Sequence, residues 1–420
     1  MNLRKPLADL PANARYSVLL EPLWAVLGTA AIYYAALYMK AAGLSTLGIG
    51  LIMSVSLYTG VFWQLAAGTL TDRMGRHRAT FVFDVLSWVV PMFLWAAADS
   101  FWLFLVAYLF NATSRVVNVS FGLLLTEDVG EDQRPRVFGA IKLIIMVAGL
   151  LTPVIGVFMQ RYGTLRTLRM VYLLGGVCML VHVLVRNHLT TETTEGLRAR
   201  GLHRSIGLAR QVGSGVRLFA RAVTDRRLAV LVAVYALTYL GWQVNIFQVV
   251  YLVDVLGFGP EQVSYLPALA AAAALVCYLL IMPRLRHRPV ESNTRAALVV
   301  CTAGWVLFLV VPRHGLVLLV ISTVLSAAGQ FLVESYRDAL VVSRLPAAQR
   351  AGLFSAIQTV TAVTAVPSGY VGALLYDRAP IWLFATIAGL YGLAGAVAFA
   401  LTAVPVRPRK EPLEPACSEV

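Results

Sequence analysis

Polar and ionisable side chains recur at helical spacing inside stretches that are otherwise apolar. Tyr108, Asn111, Arg115, Asn118 and Gly122 follow one another at steps of three and four, as do Thr323, Ser326, Gln330, Glu334 and Arg337. Residues so spaced share one face of a helix. A third stretch puts Thr238, Asn245 and Gln248 on one face and Tyr235, Tyr239 and Trp242 on another, and Tyr33 and Tyr34 stand together near the start of the chain. Amides and hydroxyls in such rows can bind a polar solute. A lone Arg attracts an anion or holds a nearby carboxylate ionised. A Glu away from bulk water can take up and release a proton. An unpaired polar group in an apolar medium costs several kcal/mol, so each row either lines a wet cavity or bonds between packed helices. Glu334 is the first candidate for a proton carrier; the alternative for it is a pair with Arg337 one turn on. Glu21 is the second candidate, or else an interfacial partner of Arg15. Asp84 and Lys142 suit snorkelling or a structural pair at least as well.

Other chemistries find little support. The six histidines (77, 182, 188, 203, 287 and 314) are scattered, and none has a second ligand at metal spacing. No glycine-rich phosphate loop occurs, which argues against an ATP-driven pump. No metal, cofactor or catalytic constellation is expected, so an enzyme is the poorer class. Cys178, Cys277, Cys301 and Cys417 show no redox spacing.

The elements that must position these rows follow from composition. Of 420 residues, 59% are hydrophobic and only 13% charged, against about 25% charged in soluble domains. Twelve apolar runs fall at 17–39, 46–70, 79–98, 101–126, 137–159, 166–187, 228–252, 261–282, 296–311, 315–342, 352–375 and 380–404. A bilayer core needs about 20 apolar residues per helix, and backbone groups in lipid must pair internally, so these runs predict membrane-spanning helices. The alternation of a β-barrel is absent. The first run is longer than a signal-peptide core and lacks a small-residue cleavage site. The net charge of +14 is distributed by topology. With the N-terminus inside, 26 Lys and Arg fall in inner segments, 6 in outer loops and 3 within the spans. That bias places both termini in the cytoplasm and excludes nucleic acid as a partner.

Between the second and third runs lies Gly68-Thr-Leu-Thr-Asp72-Arg73-Met-Gly75-Arg76-His77-Arg78. It resembles the G-x-x-x-D-R/K-x-G-R-R/K signature that joins helices 2 and 3 in the major facilitator superfamily of transporters, and it matches at every specified position. The resemblance implies an all-α polytopic membrane protein with twelve transmembrane helices in two pseudo-symmetric six-helix bundles. The chain itself shows the repeat. Arg136 and Pro153 recur as Arg350 and Pro367, and Gly43 as Gly257, all offset by 214 residues. The signature does not recur, for Pro283-Arg-Leu-Arg-His-Arg-Pro289 lacks the Asp and both glycines. The expected division is 1–188 for the first bundle, 189–226 for a cytoplasmic linker, 227–404 for the second bundle and 405–420 for a cytoplasmic tail. Within the linker Leu202, Ile206, Ala209, Val216, Phe219 and Val223 recur at helical spacing among arginines. That pattern suits a helix on the inner leaflet, while Gly207, Gly213 and Gly215 suit a flexible linker equally well.

The resemblance also implies roles. Helices 1, 4, 7 and 10 of that family line a central cavity, which would gather Tyr33, Tyr34, Asn111, Arg115, Asn118, Tyr239, Asn245, Gln248, Gln330 and Glu334. Arg115 followed by Gly122 is similar to the family's helix-4 motif. Gly68 and Gly75 would permit close packing and a tight turn. Asp72 would rest against the N-terminus of helix 11 near Gly352, latching an outward-facing state. Arg73 completes the basic turn. Arg76 would pair with a carboxylate at the inner end of helix 4, with Asp128 the expected partner rather than Glu127. In the fifth run Gly149, Pro153 and Gly156 are similar to the antiporter motif of drug/proton exporters, with Thr152 and Val157 replacing two of its glycines. The expectation is therefore a functional monomer in the cell inner membrane, exporting small amphipathic or cationic organic compounds in exchange for protons. A proton symporter or uniporter for a sugar, organic acid or other metabolite is the alternative.

Overall fold

A computed structural model describes residues 9–130, 133–202, 226–344 and 350–400. Its described elements are helical throughout, with no strand among them. Among the described residues twelve helices are long and apolar enough to cross a membrane. We label them α1 (Ala12–Tyr33), α2 (Thr46–Met74), α3 (Arg76–Ala97), α4 (Phe101–Thr126), α5 (Val137–Tyr162), α6 (Thr164–Leu189), α7 (Ala229–Asp254), α8 (Pro260–Leu285), α9 (Val290–Leu309), α10 (Leu316–Leu340), α11 (Ile357–Arg378) and α12 (Pro380–Phe399). An even number of spans puts the start of α1 and the end of α12 on one side. Large apolar side chains such as Phe62, Trp102, Val317 and Trp382 lie exposed around the bundle. This inverts the soluble pattern and suits a hydrocarbon solvent.

Local chemistry sets the helix ends. Ser45 caps α2, its Oγ accepting from Gly48 N at 3.1 Å. Gly75 ends α2 and starts α3 at a φ of 87°, a left-handed conformation that suits glycine. Gly43 and Gly257, paired in the sequence repeat, both have positive φ. The paired prolines behave alike too. α5 breaks at Leu150–Leu151 and resumes at Thr152, with Pro153 in the new first turn, where its missing N–H costs nothing. α11 breaks at Val366–Pro367 and resumes at Ser368. α3 and α8 each contain one widened π-turn, at Val85–Val89 and Cys277–Ile281.

In the first half α6 packs on α1 and α3, and α4 packs on α2 and α3; in the second, α9 packs on α10 and α12, and α7 on α11 and α12. The halves meet through α5 on α8 and α2 on α11, two contacts that the repeat interchanges. They are tightest at the end remote from the termini. A Cβ on Gly50 would lie 2.5 Å from Gly369 O and 2.6 Å from Ala373 Cβ. Ser54 Oγ accepts from Tyr370 N at 2.9 Å, and Tyr33 donates to Val263 O at 3.2 Å. Lys40 and Asp254 pair at 3.5 Å, and Thr152 donates to Ser264 O at 3.1 Å.

Charges are also buried inside the first half. Asp84 on α3 pairs with Arg186 on α6, their side chains 3% and 5% exposed. Arg186 stacks on Phe121 of α4 and donates to His182 Nε2 at 3.0 Å. His182 Nδ1 donates to Leu20 O at 2.9 Å, so both ring nitrogens are used and the imidazole is neutral. Glu21 on α1, 7% exposed, has Arg186 and Asp84 as its charged neighbours. The expected pairing of Glu21 with Arg15 is therefore corrected. Glu21 lies more than two turns inside α1 and faces inward, while Arg15 donates to Tyr16 at 3.3 Å and stacks on its ring.

Candidate functional site

Members of the rows identified from spacing line three adjoining cavities, of about 450, 320 and 230 Å³, the first two between the halves and the third within the second half. The first is aromatic. Tyr33, Trp88, Trp95, Tyr108, Tyr172 and Trp242 line it together with Asn111, Asn245 and Gln248. The second holds Arg115 and Asn118 of α4, Gln64 of α2, Tyr235 and Tyr239 of α7, and Gln358 and Thr361 of α11. The third holds Gln330, Glu334 and Arg337 of α10 against Thr238, Tyr239 and Trp242 of α7 and Tyr391 of α12. α7 borders all three, and one helical turn along α2, α4 or α7 leads from the first cavity to the second. A turn rises about 5.4 Å, so the cavities are neighbours.

Within this site Arg115 has no ion pair among the described residues. Gly60 leaves its flank open, where a Cβ would sit 3.4 Å from Nε. Glu334 accepts from Gln330 Nε2 at 3.4 Å. The pair of Glu334 with Arg337 does not form. Arg337 instead pairs with Asp338 at 3.0 Å, donates to Thr238 Oγ1 at 3.1 Å and lies 4.0 Å above the Tyr235 ring. The guanidinium is thus turned toward α7, away from the carboxylate one turn earlier. Asn111 does both things its residue type allows: it lines the first cavity, and its Nδ2 donates to Ser87 O at 2.7 Å in the widened turn of α3. Asn245 Nδ2 donates to Gln248 Oε1 at 2.9 Å, where α7 is interrupted.

Tyr34 is a correction. It is fully buried and lines none of the cavities, stacking edge-on against Tyr33 at 4.8 Å. Tyr34 stands at the break that ends α1, with φ −90° and ψ 5°, and its side chain turns into the hydrophobic core. Gln64, Gln358, Trp88, Trp95 and Tyr172 were absent from the expected set. A single Gln in an apolar run was a usable signal for the first two. The aromatics carried none, because rings serve cores and cavities alike.

At the termini side the signature loop forms a charged network. Arg76 pairs with Asp72 at 2.9 Å and with Glu127 at 3.1 Å. The partner on α4 is thus Glu127, not Asp128. Asp128 points to the other side, accepting from Asn13 Nδ2 at 3.2 Å and from Thr194 N at 3.4 Å. Glu192, at the start of the linker, accepts from Arg76 N at 2.8 Å and so caps α3, which has no capping side chain of its own. Arg200 pairs with Glu192 at 2.9 Å. A Cβ on Gly75 would collide with Glu192 and Arg200, so this glycine also makes room for the linker. Gly68 is half-buried within α2, and Arg73 lies in its last turn. The side chains at the start of the helix containing Gly352, and the linker residues 203–225 and tail 405–420, lie outside the described residues. On α5 a Cβ on Gly149 would lie 3.2 Å from Ala271 Cβ, and one on Gly156 would overlap Ser264. Both glycines therefore bring α5 against α8.

Two six-helix halves around a polar and aromatic cavity, in a chain that crosses the membrane repeatedly, define a membrane transporter of small solutes. The profile of the Major Facilitator Superfamily matches residues 23–366, and the chain belongs to that family. No curated protein sequence matches it. Among solved structures it is similar to the nucleoside transporter NupG, at a TM-score of 0.69 and 15% identity over 93% of this chain and 98% of that one. A POT family transporter in complex with 5-aminolevulinic acid matches at 0.67 and 13%, covering 93% and 95%. A bacterial homologue of the iron transporter ferroportin, in an inward-facing state, matches at 0.69 and 14%, covering 93% and 99%. At these identities the likeness is one of fold.

Proposed function

We propose that the chain is a proton-coupled secondary transporter that exports small amphipathic organic compounds by alternating access. The observation that carries the proposal is the pairing of functions in one place. An arginine without an ion pair among the described residues lines a cavity between the halves, and a carboxylate with an amide partner lines the adjoining cavity of the second half. Glu334 is the proton carrier in this reading. Glu21 lines none of the three cavities. The halves, 1–188 and 227–404, rock against each other, and the linker and tail are cytoplasmic. With the termini inside the cell inner membrane, the sealed end is the outer one, so the structure corresponds to an inward-facing state. Asn118 and Gln358 remain exposed within it. Gly149, Pro153 and Gly156, at the break in α5 and on its contact with α8, support export. A single chain is the functional unit. The cavity amides Gln64, Asn118 and Gln358 favour a second reading, uptake of a polar metabolite with protons.

Reconstituted liposomes test both. A compound panel applied under an imposed pH gradient should drive proton movement opposite to substrate for export and parallel to it for uptake. Glu334→Gln should abolish the proton movement while leaving substrate counterflow. Flux indifferent to the pH gradient and to Glu334→Gln refutes proton coupling.

A further inference from the structure

The distribution of charge over the three cavities singles out a class of substrate. Among the described residues, neither the aromatic cavity nor the one around Arg115 is lined by a carboxylate or a lysine. An organic cation entering them would meet no counter-charge and would face a fixed guanidinium. Cation–π contact with tyrosine and tryptophan contributes about 0.5–2 kcal/mol, less than the roughly 4 kcal/mol of repulsion between like charges about 4 Å apart near a protein surface. Glu334 lines only the third cavity and borders neither of these two.

For an anion the balance reverses. Arg115 supplies a planar fork of donors with no ion pair to break. Gln64, Asn118 and Tyr239 line the same cavity and can donate to a second oxygen. A substrate body extending from Arg115 along α4 reaches the first cavity within one turn. There it meets the aromatic walls of Trp88, Trp95 and Trp242.

We propose that the substrate is an amphipathic organic anion, with its oxyanion on the Arg115 guanidinium and its aromatic or apolar body in the cavity lined by Trp88, Trp95 and Trp242. The proposal deepens the transport reading above, on which it rests, and narrows its substrate from amphipathic compounds in general.

Three probes of one shape and different charge test it by calorimetric titration of the purified full chain in detergent: 2-naphthoate, 2-naphthamide and 2-naphthylmethylammonium. The naphthoate should bind the wild type about tenfold or more tighter than either other probe, the increment of one charge-assisted hydrogen bond. Arg115→Gln should remove that preference and keep the weak amide binding, and Arg115→Lys should restore part of it. Unchanged melting temperature in the two variants shows that the fold persists; if Arg115→Gln unfolds, Arg115→Lys against wild type still reads the preference. Equal affinity for the three probes, preference for the ammonium, or no binding of any of them overturns the proposal, as does naphthoate binding that Arg115→Gln leaves intact. Naphthoate selectivity without proton-linked flux in liposomes sinks the coupling reading alone. Proton-linked flux without naphthoate selectivity sinks this one alone.

Discussion

The seal between α2 and α11 can be loosened by a single methyl group. Gly50→Ala places a Cβ 2.5 Å from Gly369 O and 2.6 Å from Ala373 Cβ, well inside van der Waals contact, and one of those atoms is backbone. Overpacking of this kind costs about 1–3 kcal/mol. The cost falls only on the state in which these helices touch. Alanine's better helix propensity acts equally on both states and cancels from their ratio. The ratio of open to sealed forms should therefore rise roughly 5- to 150-fold. The assay is the labelling rate of a cysteine introduced at Ser114, which lines the aromatic cavity, in a background without the four native cysteines. A membrane-impermeant maleimide is applied from the side remote from the termini. While the open form is the minor one, the rate should rise by the same factor. Gly369→Ala, whose Cβ would sit 2.6 Å from Gly50 O, should act likewise. Gly122→Ala should not, because nothing lies within 4 Å of its added Cβ. An unchanged rate in well-folded Gly50→Ala, or an equal rise in Gly122→Ala, would refute the argument that close glycine packing forms the seal.

Two further outcomes follow from buried charge. Asp84→Asn removes the carboxylate paired with Arg186 inside the first half, where both side chains are almost wholly buried, and leaves Glu21 as its charged neighbour; it should destabilise by up to about 3–5 kcal/mol, and the double replacement Asp84→Leu with Arg186→Met should melt higher than the single variant. At the loop, Glu127→Gln should speed amide hydrogen exchange across residues 72–80, because it weakens one of the two ion pairs of Arg76. Asp128→Asn should leave that exchange unchanged and act instead on the contact with Asn13; the reverse order of effects would restore Asp128 as the partner.

The twelve spans were legible because lipid leaves the backbone no alternative to helix, and apolar length records that directly. Helix ends were less so. α1 begins at Ala12 and α9 at Val290, each about one and a half turns before its apolar run. The extra turns carry Asn13 and Asn293, whose amides bond to Asp128 and to Leu285 O. A polar residue that finds a distant partner extends a helix where composition alone stops it. The cavity was readable wherever a polar group stood in an apolar run, as Arg115, Asn118, Gln330 and Glu334 do. It was unreadable for Trp95 and Tyr34, since an aromatic ring gives no sign of which way it faces. Glu127 and Asp128 are adjacent and chemically alike, so only the direction of the last turn of α4 separates them. The cap on α3 by Glu192 joins residues 116 apart, and nothing local announces it.

The paired breaks in α5 and α11 have a mechanical consequence. Each leaves an arm of 11 residues beyond it, Thr152–Tyr162 and Ser368–Arg378, or about 16 Å of helix. Each arm rests on the opposite half. Swinging such an arm by about 10° about its break carries its tip roughly 3 Å, more than the clearance that separates a touching helix pair from a wetted one. Access at the sealed end can thus change through two small pivots of equal length placed at matching heights, while the remaining helices keep their packing.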